Sequence, residues 1–130
     1  MDYEAFSAKA EKLQKLLCPK SDGYAGPLVF AGQKEKVAFF TIVSREGDSF
    51  CETVHAVWAG NNGNLQQDEV SSLIGFFKTS LSAKIEDSNL LLNVRCEEGD
   101  FVQEFNFRIP LNIIGEWCRK KRPDKEIIIN

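Results

Sequence analysis

The chain has 130 residues, of which 43% are hydrophobic and 27% are charged. This length and balance are typical of one soluble globular domain, so we assign residues 1–130 to a single domain. A domain of this size buries enough surface to fold without a metal or a disulfide. The net charge of −3 argues against general attraction to nucleic acid or to an anionic membrane.

The first residues carry no visible targeting signal. Met1-Asp2-Tyr3-Glu4 lacks the basic segment and the apolar segment that together begin a signal peptide. No apolar run approaches the roughly 18–20 residues that cross a bilayer. We therefore expect a cytoplasmic protein that has no membrane partner.

Four cysteines lie at positions 18, 51, 96 and 118, and none forms a Cys-x-x-Cys pair. Because the chain has one histidine, a zinc site of the usual spacing is excluded. We expect neither a metal nor another cofactor. In the cytoplasm the thiols stay reduced and pack as small hydrophobic groups.

The first predicted element is an amphipathic helix over residues 2–17. Asp2 suits the N-cap position, and the helix ends at Cys18 because the residue before Pro19 avoids helical dihedrals. The apolar stripe indicates a face in the core, and a partner-facing helix is the alternative. Its members recur at three- and four-residue steps: Tyr3, Phe6, Ala10, Leu13 and Leu17.

Three strands are predicted next, over residues 28–31, 36–44 and 49–59, with turn residues between them. The nearly continuous apolar sequence of the second strand is typical of an inner strand that is covered on both faces. A turn centred on Glu46-Gly47 would join the second and third strands. This turn pairs Val43 with Phe50 and Phe39 with Val54.

A second helix is predicted after the break at Gly60–Gly63. Asn64 would cap it, and Gln67 would complete a capping box. Phe76 lies off the apolar stripe of this helix and is a candidate for exposure. The stripe itself has helical spacing: Val70, Leu73, Ile74, Phe77 and Leu81.

Residues 90–109 show the most regular pattern in the chain and predict a hairpin. The acidic, glycine-containing link predicts a tight turn centred on Glu98-Gly99, which pairs Leu92 with Phe105. The opposite face mixes polar and apolar residues and is expected to be wetter. Apolar residues alternate along both arms, which indicates strands with one buried face: Leu90, Leu92, Val94, Cys96, Phe101, Phe105, Phe107 and Ile109.

A third helix is predicted to begin at Pro110 and to end before Pro123, with Leu111, Ile114 and Trp117 or Cys118 facing inwards. Its basic end, Arg119–Arg122, complements the helix dipole, and phosphate binding is the weaker alternative. The apolar tail Ile127–Ile129 forms an edge strand, on its own sheet or on a second chain, or it is disordered.

Together these elements predict an α+β domain. An antiparallel sheet of about five strands is flanked by three helices, in the order α-β-β-β-α-β-β-α. Residues 124–130 are a tail or an edge strand of this domain.

His55 is the only histidine, so acid–base catalysis, nucleophile activation or metal ligation would centre on it. Cys51 lies on the same strand face but roughly 13 Å away along the strand, too far for a thiolate–imidazole pair. Glu52 and Glu104 are embedded in strands and could face a common cavity as an acid–base pair. Outward-facing, solubilising carboxylates are the preferred interpretation, so we predict no catalytic residue.

The sequence favours a non-enzymatic protein-binding module, such as a chaperone, adaptor, inhibitor or immunity-type protein, that forms a homodimer. The chain lacks a catalytic constellation, is rich in Phe, and ends in an apolar tail. In the order of its elements the predicted domain resembles small acidic chaperones of type III secretion, at the level of the fold alone. The candidate binding residues are Phe76, Leu91, Val102, Ile127, Ile128 and Ile129.

The alternative is a cup-shaped domain that binds a small molecule, or a small enzyme, with a pocket near the sheet face that carries His55. A closed apolar pocket with convergent polar groups near His55, Glu52 or Glu104 would favour this alternative. A continuous exposed apolar patch would favour protein binding. Nucleic acid is not an expected partner in either case.

Overall fold

Strands make up most of the chain in the computed structural model, which describes residues 2–18, 23–46, 49–60, 64–74, 78–114, 116 and 124–129. One α-helix and nine strands lie within these ranges, and a short 3-10 turn, Leu111–Ile113, follows the eighth strand. In chain order the elements are α1 (Tyr3–Leu17), β1 (Gly23–Ala25), β2 (Val29–Gly32), β3 (Val37–Glu46), β4 (Ser49–Ala59), β5 (Leu65–Ile74), β6 (Lys78–Glu86), β7 (Asn89–Glu98), β8 (Phe101–Pro110) and β9 (Asp124–Ile129).

The strands form two antiparallel sheets. Sheet 1 has the order β1-β3-β4-β5, with β2 also paired to β3, and sheet 2 has the order β6-β7-β8-β9. Side chains from both sheets meet in the main core, which includes Phe39, Val54, Leu92 and Phe107. On the other face of sheet 1, α1 packs into a second core. The described chain is therefore layered as helix, sheet 1 and sheet 2.

The helix α1 forms as the sequence predicts. Asp2 caps its first turn, because the side-chain Oδ1 accepts a hydrogen bond from the Ala5 N–H at 2.8 Å. The backbone leaves helical dihedrals at Cys18. Phe6 and Ala10, at the centre of the predicted stripe, are fully buried. The centre of this face therefore packs into the core, as predicted, while Leu17 at its end is exposed.

The strand β3 is covered on both faces, as its continuous apolar sequence predicts. Phe39 belongs to the core between the sheets and Phe40 to the core under α1, and both are fully buried. The three strands predicted over 28–31, 36–44 and 49–59 correspond to β2, β3 and β4, with ends that differ by at most two residues.

Both predicted hairpin registers are wrong by two residues. In sheet 2, Leu92 pairs with Phe107, not with Phe105. In sheet 1, the partner of Phe39 is Ala56, where Val54 was expected. In each hairpin the centre of the turn lies one residue later than predicted. In sheet 2 the reason is that Gly99, which has a positive φ of 59°, is the first residue of the turn. A shift of two keeps every side chain on its predicted face, because strand side chains alternate with a period of two.

The strand β6 crosses sheet 1 obliquely. Near its start, Thr79 Oγ1 donates a hydrogen bond to Glu52 Oε2 of β4 at 3.0 Å. Near its end, Ile85 packs closely on Gly32 of β2: a Cβ atom at Gly32 would lie only 3.3 Å from the Ile85 side chain. β2 and Glu52 pair with opposite halves of β3, so β6 passes diagonally across that strand. This crossing brings a polar side chain of sheet 2 over the buried Glu52.

The predicted fold class is wrong. The structure has two antiparallel sheets and, among the described residues, one α-helix, where three helices flanking one sheet of five strands were predicted. The fold-level resemblance to type III secretion chaperones depended on that element order, and it is lost with it. The extra strands come from β1, from the segment predicted as the second helix, and from the tail.

The second helix is the main error. Residues 65–74 and 78–86 form β5 and β6, because the stripe from Val70 to Leu81 is short enough to suit either period. The alternation of Leu81, Ala83 and Ile85 with exposed polar residues is the strand signal that the helical interpretation missed. Asp87 and Ser88, with φ of 51° and 62°, then form a two-residue hairpin turn into β7. Phe76 lies outside the described residues.

Of the third predicted helix, the described residues show the 3-10 turn and the helical residues Ile114 and Glu116. Trp117 and the basic cluster Arg119–Arg122 lie outside the described residues. The tail forms β9, which pairs antiparallel with β8 of the same chain, so that Ile127 lies opposite Gln103. Of the alternatives that the sequence left open, the edge strand on its own sheet is the one that the structure shows.

The core between the sheets should dominate stability. Leu92→Ala or Phe107→Ala should lower the free energy of unfolding by about 2–5 kcal/mol, because these side chains are only 2% and 3% exposed. Leu91→Ala, on the outward face of the same hairpin, is the matched control and should cost less than about 1 kcal/mol. Urea denaturation measures all three losses, and equal losses at Leu91 and Leu92 would contradict the assigned faces.

Candidate functional site

His55, the residue on which catalysis would centre, is held within sheet 1. Gln67 Nε2 lies 2.8 Å from His55 Nδ1, and Thr53 Oγ1 lies 2.8 Å from His55 Nε2. An amide nitrogen can only donate, so Nδ1 accepts and the ring proton lies on Nε2, which donates to Thr53. The ring also stacks on Phe40 at a centroid distance of 5.3 Å. These contacts give the imidazole a packing role on the face towards α1.

Glu52 is the buried carboxyl of the described core. Its residue is 4% exposed, so the predicted outward, solubilising position is wrong for Glu52. Its side chain meets Thr79, whose Oγ1 lies 3.0 Å from Glu52 Oε2 and 3.7 Å from Cys96 Sγ. Cys96 is fully buried. A small polar cluster of Glu52, Thr79 and Cys96 thus lies between the two sheets.

Burial raises the pKa of the Glu52 carboxyl above its ordinary value of 4.5, against a smaller lowering by the Thr79 hydrogen bond. The Thr79 hydroxyl has one proton, which satisfies only one of its two neighbours. A protonated Glu52 would donate to Thr79 Oγ1 and leave the Thr79 proton for Cys96. Burial also raises the pKa of the Cys96 thiol, so this cysteine is poorly suited as a nucleophile.

Glu104 does not join this cluster. It lies on the face of sheet 2 that points away from sheet 1, where Arg95 bonds both Glu104 and Glu97. The hypothesis of two strand carboxylates that face a common cavity is therefore unsupported. Glu104 forms part of a cross-strand ion pair instead.

The side of sheet 2 that points away from sheet 1 is called the outer face here. At the end of this face formed by Ser82, Lys84, Asn106 and Arg108 the side chains are exposed, whereas Val102 at the other end is 3% exposed. This face carries a groove of about 410 Å³, which two rows of outward-pointing side chains line. Ala83, Leu92 and Phe107 lie between the two rows and also line the groove. Because their side chains point inwards, their backbone atoms form its floor. The first row is Lys84, Leu91 and Arg108, and the second is Ser82, Asn93 and Asn106.

The predicted binding residues are distributed unevenly over this face. Leu91 is partly exposed and lines the groove. Val102 lies at the other end of the outer face and is 3% exposed, so it offers little surface to a partner. Ile127, Ile128 and Ile129 are engaged as backbone in β9, opposite Gln103, Val102 and Phe101. The groove thus brings only Leu91 of the predicted set together with new residues.

The other groove residues were missed because they come from three strands. Ser82 and Lys84 lie between the predicted second helix and the predicted hairpin, where no element was assigned, and Arg108 was not singled out within the hairpin. The alternation over residues 79–86 was the signal that could have placed Lys84 beside Leu91.

A second groove, of about 350 Å³, lies beside the 3-10 turn. Trp58, Val37 and Ile114 contribute apolar surface to it, and Glu35 and Asn112 are polar side chains at its wall. His55 and Glu52 line neither groove. The small-molecule pocket that was considered near His55 is therefore not supported by these two grooves.

Within the described ranges, no group of three His, Cys, Asp or Glu residues is placed to hold a metal ion. Cys18, Cys51 and Cys96 are not in disulfides, and Cys118 lies outside the described residues. No helix in the part that the structure describes is long and apolar enough to span a membrane. Comparison with protein-family models, with curated proteins and with solved structures gives no match in any of the three.

The raised pKa of Glu52 predicts a pH-dependent stability difference. As pH rises above the ordinary Glu value of 4.5, the unfolded state loses the Glu52 proton before the folded state does, so the contribution of Glu52 to the stability of the wild-type protein falls. Glu52→Gln removes this loss. The variant should match the wild type near pH 4 and become progressively more stable than it towards neutral pH. Urea unfolding across this range measures the difference, with the exposed Glu86→Gln as control; parallel wild-type and Glu52→Gln curves would contradict the burial argument.

A structural His55 predicts a folded but weakened variant. His55→Gln should fold and lose about 1–2 kcal/mol of unfolding free energy, because two hydrogen bonds and a ring contact change. Thr53→Val removes one partner and should cost a similar amount. If the network acts as a unit, the double variant should lose less than the sum of the two. Strict additivity would show that the two side chains are not coupled.

Proposed function

We propose that this protein is a non-enzymatic protein-binding module that presents the outer face of sheet 2 to its partner. The observation that carries this proposal is the groove in which Leu91 lies between Lys84 and Arg108. Ser82, Lys84, Asn106 and Arg108 are exposed around it. A concave surface with one apolar centre and a polar rim is typical of protein interfaces.

Both faces of sheet 1 are used internally. Sheet 1 is covered by α1 on one side and by sheet 2 on the other. The bonds that hold His55 in sheet 1 support its packing role and so favour the binding module over an enzyme. A chaperone, adaptor, inhibitor or immunity-type role all remain within this proposal.

We also propose that the protein self-associates, and we assign no surface to this contact. The tail was the main candidate, but β9 pairs in cis with β8. Sheet 1 keeps an edge at β5, which pairs on one side with β4. A bulge opposite Val54 and His55 and the carboxylates of Asp68 and Glu69 weaken that edge as a template for a second chain. We therefore expect any dimer to be reversible.

The alternative function, a small-molecule-binding domain or small enzyme, has one specific observation in its favour. The Glu52, Thr79 and Cys96 cluster places convergent polar groups between the sheets. Its burial separates it from both grooves, and a substrate would need the sheets to part. We therefore rank this function second.

The proposal is tested with a photo-crosslinking amino acid placed at Leu91 in the native host. Irradiation should give a discrete adduct with one partner protein, because a side chain at the centre of an interface contacts that partner directly. The matched control carries the same group at Glu11, which is exposed on α1, and should give no such adduct. Mass spectrometry identifies the product.

The absence of an adduct at Leu91, or identical adducts at both positions, would contradict binding through the outer face. An adduct with twice the mass of the chain would assign the outer face to self-association.

A further inference from the structure

The outer face has an uneven charge balance. Arg95 pairs with Glu97 at 2.8 Å and also with Glu104, so both carboxylates are already engaged. Lys84 Nζ lies 3.3 Å from Glu86 Oε2, and both side chains are exposed, which makes this pair weak. No described carboxylate forms an ion pair with the exposed Arg108. The groove therefore holds a guanidinium and a loosely held ammonium in a chain whose net charge is −3.

The hydrogen-bonding groups around the groove are also rich in donors. Asn93 Nδ2 donates to Asn106 Oδ1 at 2.7 Å, which orients the Asn106 amide and leaves its nitrogen available to donate. Lys84 and Arg108 can only donate, and the Ser82 hydroxyl can donate as well. The ligand that matches such a rim brings acceptors, and the strong acceptors for Lys and Arg are anionic, namely carboxylates and phosphates.

The spacing of the first row sets the shape of that ligand. Lys84, Leu91 and Arg108 are direct neighbours across three strands. Adjacent strands lie about 4.8 Å apart, so the outer two backbones are roughly 10 Å apart with Leu91 midway. One apolar side chain over Leu91, flanked by carboxylates, would meet all three residues.

We propose that the groove binds an acidic peptide segment of a partner protein, with an apolar side chain over Leu91 and carboxylates at Lys84 and Arg108. This inference rests on the proposed function and names the chemistry of the partner. Phosphate polymers fit less well, because they carry no apolar group for Leu91, and their dense charge is repelled by the acidic chain as a whole.

The direct test uses synthetic peptides of about ten residues. The probe has one Leu flanked by Glu on both sides, and the matched peptide has Gln in place of every Glu. Titration of ¹⁵N-labelled protein should shift the amide resonances of Lys84, Leu91 and Arg108. The Glu peptide should bind at least about tenfold more tightly than the Gln peptide, and its affinity should fall as the salt concentration rises. Equal affinities, no binding, or shifts centred elsewhere would overturn the inference.

Charge-reversal variants test the residues. Lys84→Glu with Arg108→Glu should reduce affinity for the Glu peptide by at least about tenfold. Lys9→Glu with Lys12→Glu is the matched control, because both lysines are exposed on α1 and the change in net charge is identical. The control should stay within about twofold of the wild type. A similar loss in both double variants would show that net charge, and not the groove, determines binding.

The photo-crosslinker at Leu91 separates this inference from the proposed function. If its partner adduct persists unchanged in the Lys84→Glu, Arg108→Glu background, the outer face binds a protein but the acidic chemistry is wrong. If the adduct is lost there and kept in the control background, the inference stands. Binding to anionic lipid vesicles that equals binding to the Glu peptide, or a chain dimer as the adduct, would assign the groove to another occupant and overturn the inference.

Discussion

The structure depends on one packing constraint, the contact between the inward faces of the two sheets. Phe39, Val54 and Ala56 of sheet 1 meet Leu90, Leu92 and Phe107 of sheet 2, and each of these residues is at most 3% exposed. Because strand side chains alternate, every residue that points into this core sends its two neighbours outwards. The face that is buried therefore also determines which residues form the outer face.

The outer face adds a second constraint. Registers that differ by two residues bury the same side chains, and the side-chain pairs on the outer face distinguish between them. The observed β7–β8 register places Arg95 opposite Glu104 and Asn93 opposite Asn106, and both pairs are bonded. The predicted register would have placed Arg95 opposite Val102. Cross-strand pairs of this kind contribute only tenths of a kcal/mol to about 1 kcal/mol each, but the same register also sets the row in which Leu91 separates Lys84 and Arg108. Stability and the proposed binding groove thus share one alignment.

Glu52 shows where the core departs from simple apolar packing. It sits on the inward face of β4, in line with Val54 and Ala56, at the point where β6 begins to cross sheet 1. A carboxyl in this position is tolerated because Thr79 supplies a hydrogen-bonding partner and because the proton can remain on the carboxyl. Cys96, on the same row of sheet 2 as Thr79, completes the cluster. This polar cluster lies at one end of the core, away from Leu90 and Ile109.

The sequence by itself determined α1, its cap at Asp2, the strands β2, β3 and β4, and the buried face of the 90–109 hairpin, because these features depend on local periodicity and on turn chemistry. It did not determine β6, because the stripe from Val70 to Leu81 also fits a helix. The signals that favour a strand are the alternation over residues 79–86 and the turn at Asp87–Ser88. Only the tertiary structure decided that Glu52 is buried, that the tail pairs with β8, and that Lys84 lies beside Leu91. Each of these depends on which strands become neighbours, and residues such as Glu52 and Thr79, 27 positions apart in the chain, carry no local signal of that contact.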